Sequence, residues 1–283
     1  MIEEETRSIV MRMKFRFLII FLSVFLVMPF SWATSTEIPS ARVDLSYEGF
    51  LGPLYIMSAD VELRLDNGHY RVVTKGKTEG FANWFFYWRN KAVSEGMRQD
   101  GVLVPRTFKM NANWNDKDRT TRLEYSDASP IVQELMPPPS EVENKEVPVT
   151  LIDNTVDPLS MALRLMLTMG KSGKCPGIYR VFDGRRRYDL GFTHDVVEDL
   201  PGNSSSIFSG SARRCAMAIE RIRGFWDKSK LVTDTKGAPE VWFARPAEGV
   251  PLLPVKFEAT YKFGNIRIYL TRLEQGKTVI KAD

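Results

Sequence analysis

The sequence is poor in the residues that build metal and redox sites, since its 283 residues include only two cysteines and two histidines. It has no H-E-x-x-H motif and no cluster of cysteine and histidine, which argues against zinc. It also lacks a glycine-rich phosphate loop and a G-x-S-x-G nucleophile elbow. We therefore predict no metal site, no cofactor and no catalytic residue.

The charges are also not concentrated in one sign. There are 39 lysines and arginines against 35 aspartates and glutamates, with no dense basic stripe. Nucleic acid is therefore not a predicted partner. The 43% of hydrophobic and 26% of charged residues exclude a disordered chain, a collagen-like repeat and a polytopic membrane protein. The length fits one large β domain or two smaller ones.

The first 33 residues have the layout of a secretory signal peptide. Arg12, Lys14 and Arg16 precede an apolar run from Phe17 to Phe30, and small residues before position 34 suit cleavage after Ala33. The alternative is a retained membrane anchor, but the run is shorter than the roughly 20 residues that span a bilayer. We expect residues 34–283 to form a single β-rich domain in the periplasm of a Gram-negative bacterium. We expect no stable membrane span after cleavage, and no lipid anchor because no cysteine precedes Cys175.

Export would place Cys175 and Cys215 in an oxidising compartment, where we expect them to form a disulfide. The alternative is two unpaired, buried thiols. Their separation does not resemble a C-x-x-C pair, so a redox-active site is not predicted.

Alternation of apolar and polar residues with a period of two dominates the chain and predicts antiparallel strands with one solvated face. Gly264-Asn265 and Asn67-Gly68 predict tight hairpin turns. The alternating segments are Val43–Tyr47, Met57–Leu65, Tyr70–Thr74, Phe108–Trp114, Thr121–Tyr125, Val255–Tyr261 and Ile266–Leu270.

One helix is predicted. Asp157 suits the N-cap, Pro158 the first helical position, and Gly170 the end of the helix. The polar residues between them fall on one narrow stripe, Ser160, Arg164 and Thr168, so most of the helix surface should be buried. We predict a mainly β fold, a strongly curved antiparallel sheet of spiral or half-barrel form packed on one apolar helix.

Residues 126–148 form the clearest irregular stretch. They include three consecutive prolines, Pro137 to Pro139, and several acidic residues. We predict a proline-rich loop here that separates an N-terminal part of the sheet from the rest within a single domain.

Two motifs have both a functional and a structural interpretation. Asp183-Gly184 predicts a turn that precedes Arg185, Arg186 and Arg187. These arginines suit an anion site, because a guanidinium binds a carboxylate or phosphate through two hydrogen bonds. Alternatively, they pair with neighbouring acids such as Asp189 and Asp183.

The second motif places six aromatic residues between Phe81 and Trp88. Consecutive large side chains cannot all face one core, so some should contact a ligand groove or a membrane interface. The alternative is a short helix or bend that covers an open end of the sheet. Among these residues we select Trp84, Phe85 and Trp88, together with Arg185 and Arg187, as candidate ligand-binding residues.

The signal segment, Asp157-Pro158-Leu159-Ser160, Cys175, the block Val181–Leu190 and Cys215 together resemble the bacterial domain-of-unknown-function family 3108. The resemblance runs from about Ala41 to Leu273, and its most specific part is Phe182-Asp183-Gly184-Arg185-Arg186-Arg187 between the two cysteines. It implies a secreted or periplasmic β-rich protein without an assigned reaction. It points to Cys175, Cys215, Asp183, Gly184 and Arg185 to Arg187 as the positions of interest. Of these, we predict a structural role for Cys175, Cys215, Asp183 and Gly184.

A looser similarity links the chain to the envelope-integrity protein B family, which has a spiral sheet like that of the lipoprotein carriers. The close spacing of the two cysteines here departs from that family, so an envelope role is an analogy.

Three hypotheses follow. The first is a non-enzymatic cell-envelope protein that binds an apolar or amphipathic, lipid-like ligand or a partner envelope protein. The second is a hydrolase-like enzyme that uses the arginine block to bind an anionic group, with His194 or a carboxylate as acid and base. The third is a structural scaffold. The sequence does not indicate an oligomeric state.

Overall fold

The computed structural model describes residues 41–66, 68–99, 101–140, 146–225 and 235–282. The predicted signal peptide, residues 1–33, lies outside the described residues, as does Asn67 of the predicted hairpin turn.

The described ranges contain two α-helices, α1 (Val149–Ile152) and α2 (Pro158–Ser172), and a 3₁₀ helix at Gly80–Trp84. The remaining elements are strands: β1 (Ala41–Leu51), β2 (Leu54–Asp66), β3 (His69–Thr78), β4 (Trp88–Gln99), β5 (Val102–Trp114), β6 (Lys117–Ser126), β7 (Ser129–Met136), β8 (Ile178–Phe182), β9 (Arg187–Leu200), β10 (Gly210–Arg223), β11 (Glu240–Ala244), β12 (Leu253–Tyr261), β13 (Gly264–Gln275) and β14 (Thr278–Lys281).

All fourteen strands belong to one sheet, in the order β7-β6-β5-β4-β3-β2-β1-β13-β12-β11-β10-β9-β8, with β14 added to β13. Every named pair is antiparallel, and the pairing of β1 with β13 joins the two halves of the chain. The predicted mainly β, antiparallel fold is therefore confirmed. The sheet has edges at β7 and β8 and does not close into a barrel.

The alternating segments form strands because one set of their side chains is buried. In β2, Leu63 and Leu65 are buried while Arg64 and Asp66 are exposed. Leu63 pairs with Val72 of β3, and Leu65 pairs with Tyr70. All seven segments predicted from alternation lie in strands of this sheet.

The predicted proline-rich loop at 126–148 is wrong in its first part, where β7 pairs with β6 from Ser126 to Thr120. Pro130 is tolerated because β7 is an edge strand and a proline there need not donate to a second neighbour. The consecutive prolines begin only after β7 has ended at Met136.

Helix α2 begins as predicted and ends later. The Asp157 carboxylate accepts hydrogen bonds from the backbone N–H groups of Leu159 (3.0 Å) and Ser160 (2.9 Å). The predicted end at Gly170 is wrong, because the helix continues to Ser172 and ends on Gly173. Gly173 adopts φ 64°, the left-handed conformation that glycine accepts without strain, and its N–H donates to Met169 O.

Helix α2 packs against strands from both ends of the strand order, namely β4 and β5 and, on the other side, β8. Leu163 lies in a core cluster with side chains of β1, β2 and β13, while Leu165 and Met169 lie in a second cluster with β8 and β9. A third cluster joins Phe108 and Leu123 of β5 and β6 to Phe182 of β8. The two edges of the sheet are therefore linked by packing rather than by strand pairing.

Candidate functional site

The arginine block forms a turn between β8 and β9, which we call the arginine turn (Asp183–Arg187). The Asp183 carboxylate accepts hydrogen bonds from the backbone N–H groups of Arg185 (2.8 Å) and Arg186 (2.7 Å). Gly184 has φ 90°, and a Cβ there would lie 2.3 Å from Thr121 Cγ2 of β6. The turn therefore requires glycine both for its backbone conformation and for its close approach to β6.

Arg185 and Arg187 point into the protein and are only 6% and 3% exposed. Arg185 donates to Pro137 O (2.8 Å) and to Met136 O at the end of β7, and Arg187 donates to Leu151 O of α1 (2.9 Å). Arg187 also pairs with Asp189 at 2.5 Å. Guanidinium groups that bind backbone carbonyls tie the β8–β9 end of the sheet to β7 and α1, which favours the structural interpretation of this block.

The predicted disulfide is present between Cys175 and Cys215, with Cα atoms 5.9 Å apart. It joins the segment before β8 to β10. The arginine turn lies inside the 40-residue loop that this bond closes.

A buried polar network fixes the N-terminus of α2 to β3 and β4. Asp157 accepts from Ser94 Oγ (3.0 Å) and Ser160 Oγ (2.5 Å), and the Ser160 hydroxyl lies 2.7 Å from the Tyr70 hydroxyl. Burial raises the pKa of Asp157, while its hydrogen bonds to Ser160 and Ser94 act in the opposite direction. Burial, reinforced by the nearby Asp157, raises the pKa of Tyr70 to about 12. Because Asp157, Ser94 and Ser160 are all 0% exposed, the network anchors the helix and has no access for a substrate.

Two of the three candidate aromatic residues are exposed and one is not. Trp84 is 86% exposed and Phe85 is 74% exposed, at the 3₁₀ helix that connects β3 to β4. Phe81, also exposed, contacts Phe85 edge to face at 5.2 Å. Trp88 is half-buried at the start of β4, where its ring covers Gly76. We call the exposed group, Phe81, Trp84 and Phe85, the aromatic turn.

Other apolar residues lie at the same end of the strands. Leu54 at the start of β2 and Phe263 in the β12–β13 turn are exposed. The Gly52 N–H donates to Asn265 O (3.1 Å), which brings the β1–β2 and β12–β13 turns together. The Glu79 N–H donates to Ile56 O (2.9 Å), which ties the segment before the 3₁₀ helix to β2.

Four exposed cationic side chains lie on β3 and β4 next to the aromatic turn. We call these residues, Lys75, Lys77, Arg89 and Lys91, the cationic face. The strand register places Lys77 opposite Arg89 and Lys75 opposite Lys91. Lys77 forms an ion pair with Glu79 at 2.8 Å. Within the described ranges no ion pair is found for Lys75 or Lys91. Like charges in directly opposite positions destabilise a sheet, so folding alone does not account for this arrangement.

The cationic face lines the floor of an open groove of about 740 Å³ that crosses β2 to β6. Five lysine and arginine side chains line it, against two carboxylates, and its remaining polar groups are neutral. Its lining comprises Ser58, Asp60, Lys75, Gly76, Lys77, Arg89, Asn90, Lys91, Asn111, Ala112, Asn113, Asp118, Arg119 and Thr120.

The two histidines are exposed and far apart in the strand order, His69 at the start of β3 and His194 within β9. His69 lines a separate groove of about 430 Å³, and the described residues that line this groove include no serine or cysteine. His194 lies 3.3 Å from the hydroxyl of its neighbour Thr193. Neither histidine is grouped with the arginine turn.

No group of three or more potential metal-ligating side chains occurs in the part of the chain that the structure describes. Among the same residues, no helix has both the length and the apolar character needed to cross a membrane.

Sequence reasoning missed the cationic face because its members are dispersed along the chain. A signal was nonetheless present: Lys75-x-Lys77 and Arg89-x-Lys91 have the spacing of one strand face and flank the aromatic run on both sides. The buried network was missed because Ser94 and Tyr70 look like ordinary members of alternating strands.

Comparison with known proteins gave a family and a distant structural likeness. The model of a family described as protein of unknown function (DUF3108) matches residues 44–271. No curated protein matches the chain. A crystal structure of a beta-barrel-like protein of the domain of unknown function DUF1849 from Brucella abortus has a TM-score of 0.47 and 10% sequence identity, and the match covers 84% of this chain and 99% of that chain.

Proposed function

The chain belongs to the DUF3108 family of proteins of unknown function, and from that premise we propose that it is a non-enzymatic protein of the bacterial cell envelope that binds the surface of anionic phospholipid membranes. The observation that carries the proposal is the position of the cationic face directly beside the aromatic turn, on one end of the same strands. Basic residues next to exposed aromatic residues are what an anionic membrane interface attracts.

The cationic face supplies the electrostatic part of this binding. A basic residue close to an anionic membrane surface contributes about 1 kcal/mol, and the attraction falls off within a Debye length. Lys75 and Lys91 face each other without a carboxylate between them, so lipid phosphates would relieve their mutual repulsion. Asp60, the acid opposite Lys75 on β2, accepts a hydrogen bond from Ser46 at 2.8 Å.

The aromatic turn supplies the apolar part. When exposed tryptophan and phenylalanine side chains enter the headgroup region of a membrane, their apolar surface is removed from water, and this favours binding. Trp84 and Phe85 make no large buried contact that would require an aromatic residue for folding, because most of each side chain is exposed. Leu54 and Phe263 extend the apolar surface along the same end of the sheet.

The periplasm is the compartment that we propose. A disulfide between Cys175 and Cys215 persists in an oxidising space, and the basic and apolar residues before Ala33 suit export. We further propose that the curved sheet holds α2 as a packed core rather than as the wall of a lipid-carrier cavity. The three core clusters support this, since side chains of α2 pack in or against all three.

Vesicle co-sedimentation tests the proposal with protein recovered after export from bacteria that produce the full chain. We expect the protein to bind vesicles that contain phosphatidylglycerol and not vesicles of phosphatidylcholine alone. Lys75→Gln with Lys91→Gln should weaken binding by about thirtyfold, from about 1 kcal/mol for each lysine. The matched control is Lys174→Gln with Lys277→Gln, which removes two exposed lysines outside the cationic face and its groove and should bind like the wild type.

The aromatic turn is tested in the same assay. Phe85→Ser should weaken binding several-fold, whereas Val149→Ser, at a position with the same 74% exposure in α1, should not. Equal partitioning of the two lysine pairs, or equal binding to both kinds of vesicle, would refute the proposed function.

A further inference from the structure

The polar stripe of helix α2 borders a small pocket that is separate from the cationic face. The helix contributes Arg164, Thr168 and Lys171, the start of β5 contributes Val102 and Leu103, and β8 contributes Tyr179. The pocket has a volume of about 190 Å³, which suits a small group rather than an acyl chain. Among the residues that the structure describes, its lining contains no aspartate or glutamate.

Arg164 is the cation at the inner end of this pocket, and it is half-buried. One of its terminal nitrogens donates to Leu103 O, and its Nε has no hydrogen-bond partner in the described part of the chain. Within the same ranges no carboxylate lies within ion-pair distance of its guanidinium. Burial lowers the pKa of Arg164, whereas the nearby Tyr70 and Asp157 act to raise it. Partial burial of a cation without a paired anion costs solvation free energy, which an anionic partner would offset.

Arg187 differs from Arg164 in its partners. Arg187 is buried rather than half-buried, and it pairs with Asp189 at 2.5 Å and donates to a backbone carbonyl. Arg164 also donates to a backbone carbonyl group, but it has no carboxylate partner among the described residues. A ligand that carries negative charge would complete its environment.

Lys171 and two hydroxyl groups complete the donor set. Lys171 Nζ lies against the β4–β5 turn, since a Cβ on Gly101 would meet it at 3.1 Å. Thr168 and Tyr179 add hydroxyl groups that are hydrogen-bonded to each other, so that one hydroxyl hydrogen of the pair is left to donate to a ligand oxygen. Val102, which is 59% exposed, provides an apolar surface at the edge of the pocket beside these donors.

We propose that this pocket binds an oxyanion, a phosphate group held between Arg164 and Lys171. The site is independent of the membrane-binding surface, because none of its lining residues belongs to the cationic face or the aromatic turn. The phosphate can come from free inorganic phosphate or from a phosphate ester with a short apolar chain, which Val102 would contact.

Thermal unfolding at constant ionic strength tests the proposal, with inorganic phosphate as the probe and chloride as the reference anion. We expect a saturable rise of the unfolding midpoint, because a ligand that binds only the folded state stabilises it. Lys171→Gln should weaken the apparent affinity about tenfold or more, as loss of a charged hydrogen bond does. Lys174→Gln, which removes an exposed lysine three residues further on, is the matched control and should respond like the wild type.

Arg164→Gln should abolish the rise of the unfolding midpoint with phosphate. Because Arg164 also donates to the carbonyl group of Leu103, this variant can fail to fold, and Lys171→Gln and Tyr179→Phe are then the variants that test the proposal. Hexyl phosphate distinguishes the two sources, since tighter binding than inorganic phosphate indicates an ester and equal binding indicates the free anion. No saturable response in the wild type, or the same response in Lys171→Gln, would overturn the proposal. Lys75→Gln with Lys91→Gln should keep the phosphate response, which separates this site from the membrane-binding surface.

Discussion

The arginine turn and the cationic face are both rich in positive charge, but their side chains contact different things. Arg185 and Arg187 are buried and donate to the carbonyl groups of Met136, Pro137 and Leu151. Lys75 and Lys91 are exposed and face each other across two strands. A guanidinium that donates to buried carbonyl groups therefore stabilises the fold, whereas exposed cations that repel one another are available to a partner.

The largest expected effect concerns the disulfide that encloses the arginine turn. Cys175→Ser with Cys215→Ser should lower the free energy of unfolding by about 4 kcal/mol, since the bond restricts a 40-residue loop in the unfolded chain. Urea unfolding measures the loss. If the protein that remains folded binds anionic vesicles like the wild type, the two regions are separate; an unchanged unfolding free energy would contradict the structural importance of this region.

A somewhat smaller effect is expected inside the turn itself. Arg187→Met should lower the free energy of unfolding by about 3 kcal/mol, because it leaves Asp189 and a carbonyl group without their partner. Arg186→Met is the matched control, since the Arg186 side chain is 39% exposed and lies 3.8 Å from Asp183, and it should change stability by less than about 0.5 kcal/mol. Equal losses of unfolding free energy in the two variants would mean that burial of the side chain does not determine how much each arginine stabilises the fold.

A pH-dependent effect is expected in the buried network. Burial raises the pKa of Asp157, so the folded protein keeps this proton to a higher pH than the unfolded chain does. The stabilisation from the protonated carboxyl is complete below the unfolded pKa of about 3.9 and is lost as the pH rises through the folded value. The stability advantage of the wild type over Asp157→Asn should therefore shrink as the pH rises from about 4. Urea unfolding of both proteins at several pH values measures this, and an advantage that grows with pH would contradict it.

The strands and the start of α2 were predictable because local patterns determine them. Alternation gives β2, β5 and β12, and Asp157-Pro158 gives the first turn of the helix. The strand β7 was not predictable, since it is stabilised by pairing with β6 and its neighbouring prolines favour a loop. The end of α2 was misplaced because Gly170 and Gly173 are equally good terminators by composition, and only the backbone conformation distinguishes them.

The site was less predictable than the fold. The arginine block was visible because its residues are consecutive, yet its hydrogen bonds run to Leu151 and Pro137, which lie 36 and 48 positions away. The cationic face depends on the register of two strands, so no single segment contains it. Exposure of Trp84 and burial of the Trp88 ring over Gly76 follow from the position of the β3–β4 connection, which sequence spacing does not define.

Binding to phosphatidylglycerol vesicles, measured side by side for Arg187→Met and for Lys75→Gln with Lys91→Gln, tests most directly whether buried and exposed cations have separate functions. Arg187→Met that remains folded should sediment with the vesicles like the wild type, and the lysine variant should remain in the supernatant while unfolding in urea like the wild type. Loss of vesicle binding in folded Arg187→Met, with binding retained in the lysine variant, would contradict the account.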